Sequence, residues 1–162
     1  MTPSIQTEDS TQQQAIPALL SGTESELRIY QSVLGVRSRS LQGIMNKVLE
    51  GLEFKTAERL RLRLGLTLAQ FAETIQIAPR TFHRRRHAGQ LNANESDRVL
   101  RLCRLFGRAL ELFEGQDEQA AQWLTQPQRA LGNRAPLAIA KTDIGTRQID
   151  DLIGRLEHGV FT

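Results

Sequence analysis

The chain is short of the residues on which most catalytic, metal and membrane chemistry depends. Its one cysteine, Cys103, allows neither an internal disulfide nor a cysteine-based zinc site. No stretch approaches the roughly 18 apolar residues that a membrane span needs. Residues 1–10 have neither a basic start nor an apolar run, so no secretory signal is expected and the cytoplasm is the expected compartment. There is no phosphate-binding glycine loop, no serine elbow and no nucleophile paired with a base. Asp150, Asp151 and Glu157 read as charges on a helix surface, not as a catalytic carboxylate pair. Neither enzyme activity nor a cofactor is therefore expected. Aromatics make up 5% of the chain against 40% hydrophobic residues overall, so a core must be built from Leu, Ile, Val and Ala, which suits helices packed on helices.

What is present is cationic charge in one place. The net charge is only +3, yet residues 1–54 carry −2, residues 55–108 carry +8 and residues 109–162 carry −3. A basic centre between two mildly acidic flanks implies that the centre meets a polyanion and the ends meet something else. Arginine supplies 11 of the 12 cations of that centre. Its planar fork suits phosphate oxygens and guanine edges.

Periodicity gives an all-α reading with no alternating strand and no repeat. Residues 1–22, rich in Gln, Ser and Thr, cannot bury enough apolar surface to offset ordering entropy and read as a flexible tail. Short helices are expected over 24–34 and 40–52, the second with a stripe of Leu41, Ile44, Met45, Val48, Leu49 and Leu52. Residues 56–64 show Ala57, Leu60, Leu62 and Leu64 before Gly65. Thr67 and Gln70 have capping-box spacing and open a helix to about residue 75. Pro79 suits the first position of the next helix, which Ala88-Gly89 ends. Asn92 and Glu95 start a long helix to about residue 114, with Cys103 on its apolar side as a small core residue. Beyond Gly115, short helical pieces are expected over 117–124, 127–131 and 136–140. An amphipathic helix over 146–158 carries Ile149, Leu152, Ile153 and Leu156 on one face.

The helices 67–75 and 79–87, joined by a tight turn, have the dimensions of a helix-turn-helix. With Phe82 inward at 100° per residue, Arg80, Arg84 and His87 lie within about 40° of the opposite centre, and Thr81 lies at the side. An apolar anchor behind an outward row of arginines is what insertion into a major groove requires. Arg80, Thr81 and Arg84 are the expected base readers. Arg85 and Arg86 are expected phosphate clamps, and pairing with an acid of a neighbouring helix is the alternative for Arg86. His83 and His87 are spaced to share a metal, but they lack a third ligand and stand among cations, so no metal is assigned. One such unit makes few base contacts, so a homodimer reading two half-sites is expected. The 41–52 stripe and the long fourth helix are the candidate dimer surfaces, unless each fills the core.

Three runs carry a family resemblance: Leu52-Glu-Phe-Lys-Thr-Ala-Glu-Arg-Leu60, Arg80-Thr-Phe-His-Arg-Arg-Arg86 and Glu95-Ser-Asp-Arg-Val-Leu-Arg-Leu102. The C-terminal segments 121–132, Ala135-Pro-Leu137 and 149–161 agree with them. Over about residues 50–162 the chain resembles the Xre antitoxins of the Xre/MbcA/ParS group. A DNA-binding and dimerisation region is expected over 23–114, and the resemblance implies a C-terminal toxin-binding domain, expected over 115–162. It implies a type II antitoxin that binds a RES-domain toxin from the same operon, covers the active site of that NAD-degrading enzyme and represses the operon through promoter DNA. For the toxin-binding surface it points to the segment around Asn133-Arg134 and to the last helix, giving Arg134, Arg155, Glu157, His158 and Phe161 as candidates. Trp123, Leu124, Leu131 and Leu137 would build that domain. The alternative is a solitary helix-turn-helix repressor without a toxin partner.

Overall fold

A computed structural model describes residues 24–159. The expected tail over 1–22 and the candidate Phe161 lie outside the described residues. No strand occurs among those residues, and the only sheet-like pairings are the isolated bridges Glu53–Gln90 and Gln128–Arg134. The first helix, α1, covers residues 24–34 and ends in a π turn, Tyr30–Leu34. It is followed by α2 (Leu41–Glu50), α3 (Phe54–Arg63), α4 (Leu68–Thr74), α5 (Pro79–Ala88) and α6 (Ala93–Leu112). The C-terminal part consists of α7 (Asp117–Thr125), a 3-10 turn (Arg129–Leu131), α8 (Pro136–Ile139) and α9 (Asp143–Glu157).

Local chemistry fixes the ends of these helices. Ser40 accepts the Gly43 amide, Thr67 and Gln70 form a reciprocal capping box, and Asn92 and Glu95 form a second. α9 starts three residues earlier than its apolar periodicity indicates, because the Thr142 hydroxyl accepts the Gly145 amide and Asp143 follows in the first turn.

The long helix α6 is the axis of the fold. It packs against α1, α2, α7 and α9. Val99, Leu102, Cys103, Leu105, Phe106 and Ala109 are buried along it. Its stripe therefore fills the core, which removes it as a dimer surface. At Gly107 a Cβ would overlap the Ile29 side chain, so glycine lets α1 lie close. The helices before and after α6 share a continuous set of buried side chains with it. Ion pairs reinforce this packing: Arg63 grips Asp117 through two 2.6 Å hydrogen bonds, Arg104 reaches Asp150, and Arg108 reaches Glu157.

Two expected stripes divide. On α2, Ile44 and Val48 are buried, whereas Met45 and Leu49 are 54% and 71% exposed. On α3, Leu60 is buried but Leu62 points outward, since residues two apart lie about 200° apart on a helix.

Candidate functional site

The turn between α4 and α5 places α5. Gln76 adopts the left-handed region (φ 53°), a conformation more often given to glycine. The Ile77 amide donates to the Ala72 carbonyl at 2.8 Å. Arg98 of α6 donates from Nη1 to the carbonyls of Gln76 (2.7 Å) and Ile75 (3.3 Å), satisfying acceptors that the end of α4 leaves unpaired. Pro79 opens α5 without sacrificing an amide hydrogen bond, and Gly89 closes it in the left-handed region, its amide donating to the Arg85 carbonyl.

Phe82 is the apolar anchor of α5. It is buried, with its ring centroid 5.0 Å from that of Phe54 and 6.0 Å from that of Phe71. Arg80, His83, Arg84, Arg86 and His87 are exposed, and Thr81 is half-buried at the edge. Arg80, Arg84 and His87 thus share the outward face that the helical wheel predicts. The His83 and His87 rings meet edge to face, with their Nε2 atoms 3.0 Å apart.

Arg85 corrects the expected set. Instead of standing free for phosphate, its Nε donates to both carboxylate oxygens of Glu95 (3.1 and 2.8 Å). The Glu95 side chain is only 8% exposed and also accepts the Asn92 amide, so one carboxylate caps α6 and ties α5 to it. Arg86, for which pairing was the alternative, is exposed and makes no ion pair among the described residues.

Most other cations of the basic centre are also paired. Lys55 pairs with Glu53, Arg61 with Glu58, Arg63 with Asp117, Arg101 with Asp97, Arg104 with Asp150 and Arg108 with Glu157. Arg98 is held by the two backbone carbonyls. Among the described residues, the cations of 55–108 left without a partner are Arg59, Arg80, Arg84 and Arg86, three of them on α5. Much of the +8 is internal bracing, and what remains available is concentrated on one helix.

The C-terminal candidates fall on two separate elements. Residues 128–134 form a loop closed on itself: the Gln128 amide donates to the Arg134 carbonyl and the Arg134 amide to the Leu131 carbonyl. Gly132 and Asn133 adopt positive φ, and Arg134 is exposed. On α9, Arg155 and His158 line a shallow depression of about 590 Å³ with Asp150, Asp151 and Gln148. Glu157 corrects the expected set: its carboxylate turns toward α6 and accepts from Arg108 at 2.8 Å, so it fastens the helix. Leu124, Leu131 and Leu137 are buried, and Trp123 is half-buried against Phe113. Cys103 is fully buried and burial pushes its thiol far above the usual range, which leaves it unreactive.

Sequence reasoning missed Arg98 and Arg59. Nothing in the spacing of Arg98 signals that the preceding turn needs a donor. Arg59 lies on a helix read only for its apolar stripe.

Comparison with known proteins supplies what geometry does not. Residues 44–104 match the family described as the antitoxin Xre-like helix-turn-helix domain. Residues 108–159 match the antitoxin Xre/MbcA/ParS C-terminal toxin-binding domain. An "Antitoxin Xre" of Yersinia enterocolitica is 32% identical over 120 residues, covering 74% of this chain and 81% of that protein. Another "Antitoxin Xre", from Photorhabdus laumondii, is 39% identical over 74 residues, 46% of this chain and 50% of that protein. The outward arginines of α5 lie within the first matched segment and the α9 depression within the second. The chain belongs to the Xre/MbcA/ParS family of type II antitoxins, with an Xre-like helix-turn-helix domain followed by a C-terminal toxin-binding domain.

Proposed function

We propose that this antitoxin represses its own operon by inserting α5 into the major groove of promoter DNA, and that its C-terminal domain neutralises a RES-type NAD-degrading toxin by covering the active site. The observation that carries the DNA half is the set of unpartnered arginines on α5, backed by the single buried anchor Phe82. Arg80, Thr81 and Arg84, near the start of that helix, read base edges. His87 and Arg86 meet the flanking backbone. The toxin half rests on the match of residues 108–159 to a toxin-binding domain. Arg134, Arg155 and His158 are its exposed candidates. That match also weighs against a solitary repressor.

The protein acts as a homodimer, because one ten-residue recognition helix covers a single half-site. The exposed Met45 and Leu49 of α2 are the apolar candidates for that contact, now that α6 is buried.

Co-expression with the product of the adjacent reading frame tests the toxin half. The expected result is a stable complex whose NAD-degrading activity is silent and returns when the antitoxin is removed. Failure of the two chains to associate at micromolar concentration refutes it. For the DNA half, Arg80→Ala with Arg84→Ala is expected to cost about 2–6 kcal/mol of promoter affinity, at about 1–3 for each good base contact. Unchanged affinity in a binding titration would remove α5 as the reading helix.

A further inference from the structure

Away from α5's outward face, the structure holds a second cationic feature. A cleft of about 690 Å³ lies between the loop after α1, the end of α2 and the first turns of α3. Arg37, Lys47, Lys55 and Arg59 line it against the carboxylates of Glu50 and Glu53, four cations to two anions, a net of +2. Glu53 is neutralised by Lys55. Arg37, Lys47 and Arg59 are exposed and make no ion pair among the described residues. The guanidinium of Arg59 lies against Gly35, where a Cβ would overlap it, so a glycine in the left-handed region (φ 68°) makes room for that side chain.

The cleft is joined to the recognition helix. Gln90 lines it and directly follows the Gly89 cap of α5. The Phe54 amide donates to the Gly89 carbonyl at 2.8 Å, and the Leu91 amide donates to the Leu52 carbonyl at 2.9 Å. Gln90 Nε2 donates to the carbonyls of Glu50 and Gly51, both at 3.1 Å. The cleft wall and the end of α5 are therefore joined by hydrogen bonds. In the homeodomain, one variant of the helix-turn-helix, the C-terminal end of the recognition helix and a neighbouring loop contact the DNA backbone. The lining contains no aromatic ring on which a base could stack, and small-ligand pockets are mostly apolar and aromatic. Cations spread along a polar rim suit a phosphate backbone better than a free nucleotide.

The geometry points to this cleft as a second DNA contact, which holds backbone phosphates of the duplex flanking the site that α5 reads. The inference rests on the DNA-binding reading of α5. Lys47 and Arg59 carry it by charge and contribute affinity without sequence preference.

The test measures full-length protein binding to two duplexes over a range of salt. One carries the promoter site extended by about 10 base pairs, one helical turn, on each side, and the other is trimmed to the site. With Lys47→Gln and Arg59→Gln together, the extended duplex is expected to bind roughly tenfold or more weakly near 0.1 M salt, with a salt slope shallower by about 2. The ratio of promoter to unrelated DNA stays unchanged, and the trimmed duplex binds as before. Arg59→Lys should restore most of the affinity. An unchanged slope on the extended duplex, while Arg80→Ala with Arg84→Ala still abolishes promoter preference, overturns the cleft and leaves the α5 reading standing. Loss of pyrophosphate binding in the cleft variant with DNA binding intact overturns it in favour of a small phosphorylated ligand. If the wild-type chain shows no promoter preference and Arg80→Ala with Arg84→Ala changes nothing, the reading of α5 fails and the cleft inference falls with it.

Discussion

The two helices proposed to meet the two partners, α5 and α9, are mounted differently. α5 is held by one aromatic anchor, Phe82, by packing on α4, by one ion pair, Arg85–Glu95, and by the Phe54 amide on the carbonyl of its Gly89 cap. α9 is fifteen residues long, buries Ile149, Leu152 and Ile153, and is tied to α6 through Asp150 and Glu157. A helix with so few internal obligations presents most of its side chains to a ligand, and its charge pattern is then a functional signal. A helix that also completes the core presents few, and its charges divide between bracing and contact. Residue type alone says more about α5 than about α9.

The sharpest way to break this contrast is to remove the α5 anchor. Phe82→Ala should cost about 3–5 kcal/mol of stability, since it deletes a buried ring packed against Phe54 and Phe71. Denaturant unfolding measures it. A loss under 1 kcal/mol would mean that α5 is supported by contacts other than the aromatic cluster.

Removing the second mount is the next largest effect. Arg85→Ala leaves the buried Glu95 carboxylate without its cation, and the partial exposure of the arginine moderates the loss to roughly 2 kcal/mol. The thermal midpoint should fall, while the selectivity of the folded protein for promoter over unrelated DNA stays the same. A variant of normal stability that binds DNA with a reduced salt slope would return Arg85 to the phosphate contacts.

The smallest effect concerns the brace between α3 and α7. The hydrogen bonds from Arg63 hold Asp117 below its ordinary value of 3.8. A depressed carboxylate contributes stability that is complete above its unfolded pKa and is lost as pH falls through the folded one. Acid unfolding below about pH 4 should therefore be less steep in Asp117→Asn than in the wild type, by under about 1 kcal/mol because the pair is partly solvated. Identical acid profiles would show that the pair contributes nothing to pH dependence.

The fold was legible in sequence wherever a cap coincided with periodicity. Thr67, Gln70, Asn92 and Glu95 form the capping boxes that their spacing predicts, and Pro79 and Gly89 bound α5 as read. What stayed hidden depends on contacts between distant residues. Arg85 and Arg86 are indistinguishable by type, and only the approach of Glu95 selects one for pairing. Met45 and Leu49 look like core on a wheel, yet α6 covers only the Ile44–Val48 side of α2. Glu157 looked available because its partner, Arg108, lies 49 residues away. Gln76 and Arg98 support each other across the turn without any local pattern.

On the proposed function, the two ends of the chain serve two partners through separate surfaces. A single paired measurement tests it: binding of promoter DNA and of the adjacent gene product by two variants, Arg80→Ala with Arg84→Ala and Arg155→Ala with His158→Ala. The first is expected to lose the promoter and keep the protein partner, and the second to do the reverse. Variants that each lose both partners while remaining folded, or that lose neither, would contradict it.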